Sequence, residues 1–202
     1  MPASLASLRR RYRTARRALD ANTQHRHAYQ AAARFAATRL PLCRGRFAAY
    51  LANDGELDPA PIIQRLLGAG RTVALPVVGR GRRLAFHQYR VDTALVPNRF
   101  GINEPDMRRA PRVPLTTLAV VFVPLVAFDD DGYRLGMGGG YYDATFAAHG
   151  RALRVGLAHE SQRSDVLPHR PWDVALDIII TEASSRAFTA RGRRYLIDER
   201  RT

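Results

Sequence analysis

The chain has 202 residues, 46% of them hydrophobic, and a formal charge of +14 with its 6 histidines neutral. That length supports one sizeable core, and nothing in the composition demands a second. All 32 basic residues are arginine, which excludes an internal-lysine Schiff base and a Walker-type lysine, and the single cysteine, Cys43, excludes an internal disulfide or a thiolate zinc site.

The positive charge attracts acidic partners without choosing among nucleic acid, membrane and a polyanionic small molecule. The arginines are dispersed and carry no basic-aromatic motif of a nucleic-acid fold, so no specific nucleic acid is expected. No secretory pattern and no run near the ~20 apolar residues of a membrane span occurs, so the expected place is the cytoplasm, with no membrane partner.

In chain order, Leu5, Leu8, Tyr12, Ala15 and Leu19 fall on one helical face and predict a basic helix over about 5–20. Arg9, Arg13, Arg16 and Arg17 fall largely on its other faces, where they are either solvated or a clamp for phosphate. An alanine-rich helix follows over 28–38. Residues 46–52 suit a buried strand, Asn53-Asp54-Gly55-Glu56 a polar turn, 59–68 a helix and 72–78 a strand. This β-α-β order predicts a parallel sheet.

Residues 80–89 read as a hairpin partner across Gly79-Arg80-Gly81, and the four prolines between 97 and 114 predict a long ordered loop without regular structure. A buried run over 118–128 leads to Asp129-Asp130-Asp131-Gly132, expected to be a solvated turn. Strands over 154–158 and 175–181 and a peripheral arginine-rich segment from about 185 to 202, with a strand near 193–197, complete one domain spanning 1–202. The six histidines lack H-x-x-x-H spacing, so His87 reads as a strand residue and His25, His27, His149, His159 and His169 as surface or loop positions.

The most informative segment is Arg134-Leu135-Gly136-Met137-Gly138-Gly139-Gly140-Tyr141-Tyr142-Asp143, set between the acidic turn and a helix predicted from Tyr141 to about His149. Glycines let main-chain N–H groups face an anion, and a helix start adds its positive dipole end. A tight turn with no ligand is the alternative, and Asp143 is then only a helix-start carboxylate. In α/β proteins ligands collect at the carboxyl ends of strands, and Glu56, the glycine loop and Asp173 all follow or approach strands.

The run Val123-Pro124-Leu125-Val126-Ala127-Phe128-Asp129, the glycine-tyrosine loop, Tyr50-Leu51, Gly55-Glu56, Phe100-Gly101-Ile102 with Glu104-Pro105, Gly156-Leu157-Ala158 with Gln162, and Trp172-Asp173-Val174 occur in one order along the chain. Together they resemble the 5-formyltetrahydrofolate cyclo-ligase (methenyltetrahydrofolate synthetase) family, over nearly the whole chain. The resemblance implies a single-domain three-layer α/β/α sandwich with a mostly parallel sheet, like the ribose-phosphate isomerase and CoA-transferase superfamily. It implies ATP-dependent closure of 5-formyltetrahydrofolate to 5,10-methenyltetrahydrofolate, with magnesium required; a monomer is the expected form.

Carried over by position, the resemblance puts Arg9 and Arg134, Leu135, Gly136, Met137, Gly138, Gly139, Gly140, Tyr141 and Tyr142 on the nucleotide. It makes Arg134 and Tyr142 catalytic. Leu51, Glu56 and Met137 through Tyr141 would meet the folate, whose anionic glutamate tail suits the basic surface, and Asp143 and Asp173 would hold magnesium. Four residues before Arg9, where members commonly place a second basic residue, stands Leu5, so Arg10 or another arginine would have to compensate. Two other function classes fit parts of the pattern: a nucleic-acid-binding protein, and a sugar-phosphate isomerase or CoA transferase of related architecture.

Overall fold

The computed structural model describes residues 4–148 and 151–197. Helix α1 (Leu5–Arg17) starts at Ser4, whose hydroxyl accepts Ser7 N–H, and α2 (Ala21–Ala36) starts at Asp20, whose carboxylate accepts Thr23 N–H. Both caps satisfy main-chain donors that a first turn leaves unpaired. The Asp20 cap starts α2 well before the expected residue 28, which marks only where its buried positions begin, at Ala28, Ala31, Ala32 and Phe35.

Strand β1 (Arg46–Ala48), helix α3 (Ala60–Gly68) and strand β2 (Val73–Val78) form the predicted unit, with β1 and β2 parallel. Strand β3 (Leu84–Tyr89) returns antiparallel along β2, as the hairpin reading requires. Where a loop without regular structure is expected over 97–114, β4 (Leu95–Pro97) and β5 (Asn103–Pro105) pair as an antiparallel arm. The arm closes because Asn98 Oδ1 accepts the Phe100 and Ile102 N–H groups, and Glu104 ties it to β2 by accepting Val78 N–H at 3.1 Å.

The expected run 118–128 is split into β6 (Leu118–Pro124) and β7 (Ala127–Phe128), the latter paired antiparallel with β8 (Arg134–Leu135). The break falls at Leu125 and Val126, whose carbonyls accept the buried Gln162 side-chain amide instead of continuing a ladder. Next come α4 (Tyr141–Ala148), β9 (Leu153–Leu157) and β10 (Ile178–Ile180), then β11 (Ser185–Ala187) and α5 (Ala190–Arg193). His149, the expected end of α4, and residues 198–202 lie outside the described residues. The strand expected near 193–197 is replaced by α5, capped by Thr189; the edge of the sheet is taken by β11, antiparallel to β10.

The seven strands run in the order β11-β10-β9-β6-β1-β2-β3, parallel in the middle with one antiparallel strand at each edge. Alternate residues serve opposite faces: Val120 and Phe122 join the core under α2 and α3, while Val121 and Val123 join the one under α4. A parallel sheet covered on both faces makes three layers. Leu5, Leu8 and Tyr12 of α1 close a third, smaller cluster with Val126, Ala127, Leu135 and Leu167. No helix among the described residues is long and apolar enough to cross a membrane.

Candidate active site

Sheet order reverses between β1 and β6: the chain moves from β1 toward β3 on one side and from β6 toward β11 on the other. The crevice at the carboxyl ends of these two strands is where an open α/β sheet offers a ligand site. Arg16 occupies it with no solvent exposure. Its Nη1 donates to Leu125 O at the end of β6, and its Nε and Nη2 donate to Asp54 O and Oδ2 in the turn after β1. Arg13 and Arg17 also bind the Asp54 carboxylate. Burial opposes that charge, but hydrogen bonds from Arg13, Arg16 and Arg17 win and hold Asp54 well below the usual carboxylate range.

The turn depends on Gly55, at φ +74°, because a Cβ there would sit 3.1 Å from Arg16 O. Glu56 follows, its Oε1 3.7 Å from Arg16 Nη2 and its Oε2 accepting Asn53 N–H at 3.2 Å. Burial raises Glu56 to about 7, against the pull of Arg16. Around it, Tyr50 donates to Leu57 O at 2.6 Å, and the half-buried Leu51 packs against the core under α2. Burial, and then the Glu56 carboxylate, push the Tyr142 hydroxyl well above its ordinary pKa.

The opposite wall is the glycine loop. Among the described residues no N–H from Gly136 to Gly140 donates to the protein, and the Gly140 carbonyl accepts the first bond of α4, from Ala144 N–H at 3.0 Å. A Cβ on Gly136 or Gly140 would meet nothing within 4 Å, whereas one on Gly139 would lie 2.8 Å from the Tyr141 ring. Gly138, Gly139 and Gly140 are exposed, as is Met137 at 53%. Arg9 reaches the loop: its Nε donates to Gly136 O at 2.9 Å, and a Gly138 Cβ would lie 3.5 Å from its Cζ. Leu135, by contrast, points into the small cluster under α1.

Arg134 lies beneath the loop with its side chain 5% exposed, its Nη2 on Asp143 Oδ1 at 2.6 Å and its Nη1 on Val174 O. Asp143 Oδ1 also accepts Val174 N–H at 3.3 Å, which brings the residue beside Asp173 to the start of α4. Asp173 Oδ2 accepts Arg170 N–H at 2.8 Å. Asp143 Oδ2 and Asp173 Oδ1 accept no hydrogen bond among the described residues. Two carboxylates with spare oxygens near the glycine loop are donors of the kind a hard, oxygen-preferring ion such as magnesium takes.

The arm of β4 and β5 reaches the same place. Arg99 binds the Tyr141 hydroxyl, and the Phe100 ring meets Tyr141 edge-on at 6.3 Å. Four features here escape a sequence reading. Arg16 is neither solvated nor a phosphate clamp, because it is fully buried and its donors are taken by Asp54 and Leu125. Asp129 is not in a solvated turn: it is 2% exposed and accepts the Asp131, Tyr133 and Leu167 N–H groups. His159 is in a loop, as expected, but fully buried there and in contact with His27, a pairing no local spacing announces. Arg99 and Phe100 have no signal beyond lying in a long proline-bounded loop. Arg10, a candidate for the place of a basic residue at position 5, is exposed, and Arg13 is committed to Asp54.

Comparison with known proteins bears on this geometry. A model of the 5-formyltetrahydrofolate cyclo-ligase family matches residues 2–182. The chain is similar to the 5-formyltetrahydrofolate cyclo-ligase of Escherichia coli, 40% identical over 173 residues that cover 84% of this chain and 95% of that one. It is 41% identical to the Haemophilus influenzae enzyme of that name, over 66% of this chain and 74% of the relative. Its fold is similar to the solution structure of the 5,10-methenyltetrahydrofolate synthetase of Aquifex aeolicus, with TM-score 0.78 and 30% identity over 91% and 92% of the two chains. The Mycoplasma pneumoniae 5,10-methenyltetrahydrofolate synthetase shares the fold at TM-score 0.71 and 23% identity, over 89% of this chain and 99% of that one.

Proposed function

The chain belongs to the 5-formyltetrahydrofolate cyclo-ligase family and is an ATP-dependent ligase forming 5,10-methenyltetrahydrofolate, and for its chemistry we propose a division of labour between the two walls of the crevice. A formamide carbon is a poor electrophile and its oxygen a poor leaving group. Transfer of the terminal phosphate of ATP to the formyl oxygen makes an activated imidate-like ester and ADP. The neighbouring anilino nitrogen adds to that carbon, closing a five-membered ring; it gives up its proton, and the C–O bond breaks to release phosphate. Alignment and charge neutralisation carry such a reaction.

The glycine wall takes the nucleotide. The N–H groups of Gly136, Met137, Gly138, Gly139 and Gly140 face the phosphates, and Arg9 adds positive charge at the same loop. Arg134 acts from beneath as a positioning residue, holding Asp143 at the helix start. Asp143 and Asp173 would hold magnesium, which when bound neutralises phosphate charge. The other wall takes the pterin: Glu56, once ionised, accepts hydrogen bonds from its amino and ring N–H groups, Leu51 lines the pocket, and Met137 through Tyr141 border the folate. Tyr142 lies between the two ligands, near Glu56. The arginine-rich surface suits a polyglutamate tail, and a cytoplasmic monomer is the form in which this reading is simplest.

What supports it is one arrangement: a half-buried carboxylate held by Arg16 in the turn after β1, and a run of main-chain donors without a partner among the described residues at the start of α4. The test is the absorbance of the methenyl product from 5-formyltetrahydrofolate and magnesium, with ATP present or omitted. Product that requires ATP and drops at least a hundredfold in Asp143→Ala supports both reaction and metal role. Product formed normally by the folded variant would remove Asp143 from the metal site, and no product from the folded parent would remove the reaction.

A further inference from the structure

Away from the glycine loop, three donor groups meet where α2 passes the carboxyl ends of β9 and β10. His27 Nδ1 is 2.9 Å from His159 Nδ1 and 3.6 Å from Glu182 Oε1. One ligand atom from each residue lies within 4.8 Å of the others, and no other such group of three histidine, cysteine or acidic side chains comes together among the described residues. Zinc-type ions bind imidazole and carboxylate at ~2.0–2.2 Å in tetrahedral geometry, which spaces donor atoms roughly 3.3 Å apart. The two measured separations bracket that spacing.

We infer that His27, His159 and Glu182 form a binding site for a zinc-class divalent metal ion, separate from the magnesium carboxylates, with a fourth position left for water. Two imidazoles and one carboxylate favour such an ion over magnesium, which prefers oxygen alone. His159 is fully buried and belongs to the interior side of the site, while His27 and Glu182, with side chains 15% and 14% exposed, give a path from solvent.

The surroundings hold the donors ready. Metal on Nδ1 places the ring proton on Nε2, which in His159 is buried and makes no hydrogen bond of good geometry among the described residues. The Glu182 carboxylate is oriented by Glu160 N–H, at 3.0 and 3.2 Å from its two oxygens, and its main-chain carbonyl by Arg34 Nε at 2.8 Å. An ion here fastens α2 to the ends of two central strands.

The experiment uses tag-free full-length protein, freed of metal with a chelator and titrated with zinc chloride by calorimetry. Cobalt(II) serves as a second probe, because its visible absorption reports tetrahedral nitrogen and oxygen ligands. The expected result is one site per chain, a raised melting temperature on zinc addition, and at least tenfold weaker binding in both His27→Gln and Glu182→Gln. These residues are partly exposed, and circular dichroism checks that the variants fold. Magnesium alone should leave the melting temperature unmoved in this assay when Asp173→Ala is used as background. Absence of zinc binding by the parent, or equal binding by the folded variants, would overturn the site and leave a plain hydrogen-bonded histidine pair.

Discussion

On the β1 side of the crevice the charges are paired inside the protein, whereas on the glycine side five successive main-chain N–H groups have no partner among the described residues. The first wall is finished before any ligand arrives: Arg16 bridges the ends of β1 and β6 and fixes the turn that carries Glu56. The second is left for a ligand to complete. If the proposed division of labour holds, folding energy goes into the pterin wall and binding energy into the phosphate wall, so damage to the two should appear in different measurements.

The largest effect is expected from Arg16→Met. Removing Arg16 takes the buried member out of the network: Glu56 loses its ion pair, Leu125 O and Asp54 O each lose a donor, and Asp54 keeps only the more exposed Arg13 and Arg17, a break that typically costs 3–5 kcal/mol. Denaturant unfolding should show a loss of about that size. A loss under 1 kcal/mol would mean that Arg13 and Arg17 hold the turn unaided and that the two walls are less different than their contacts suggest.

Glu56 gives the next effect, through pH. Its pKa rises from 4.5 to about 7 in the folded chain, so its contribution to stability is full below 4.5 and is lost as pH climbs through 7. The free protein should therefore lose stability between about pH 5 and 8, by at most roughly 3 kcal/mol for a shift of this size. Folate affinity should rise across the same window, because the ionised form accepts the pterin N–H groups. Glu56→Gln should flatten both curves in thermal melts and folate titrations. A parent whose stability is level from pH 5 to 8 would show that Arg16 keeps Glu56 ionised throughout.

Gly140→Ala probes the open wall. At φ +67° a side chain is strained by about 1–2 kcal/mol, yet its Cβ would meet nothing within 4 Å, so the loop is free to shift rather than the fold to loosen. The KM for ATP should rise about tenfold with the melting temperature changed by no more than a few degrees. The opposite pattern, a lower melting temperature with KM unmoved, would make the loop a structural turn.

Sequence carried the layers of this fold further than it carried the site. Periodicity found α1, α3, β2, β3 and the parallel unit, because each buries a face that its apolar residues mark. It missed the break at Leu125 and the arm of β4 and β5, where side chains of Gln162, Asn98 and Glu104 decide the backbone path. Glycines and Asp143 were legible as a motif, since their chemistry is local. Arg16 and His159 were not, because burying an arginine or a histidine depends on partners that meet only in three dimensions. Of the other wall, Leu51 and Glu56 were named in sequence, but the arginine that holds Glu56 there was not.

The smallest effect concerns Leu5, where the family pattern leads one to look for a second basic residue. Leu5 is half-buried and packs with Tyr12, Val126, Ala127, Leu135 and Leu167, beneath the loop that Arg9 reaches. Leu5→Arg gives up part of that apolar contact, about 1 kcal/mol, or roughly 2–4 °C for a chain of this size. Arg9, one turn further along the same face, already stands at Gly136 and Gly138, so a charge at position 5 adds to one in place. The KM for ATP should change by less than threefold. A tenfold fall in KM at unchanged melting temperature would mean that the open wall is short of positive charge and that the leucine is tolerated there rather than used.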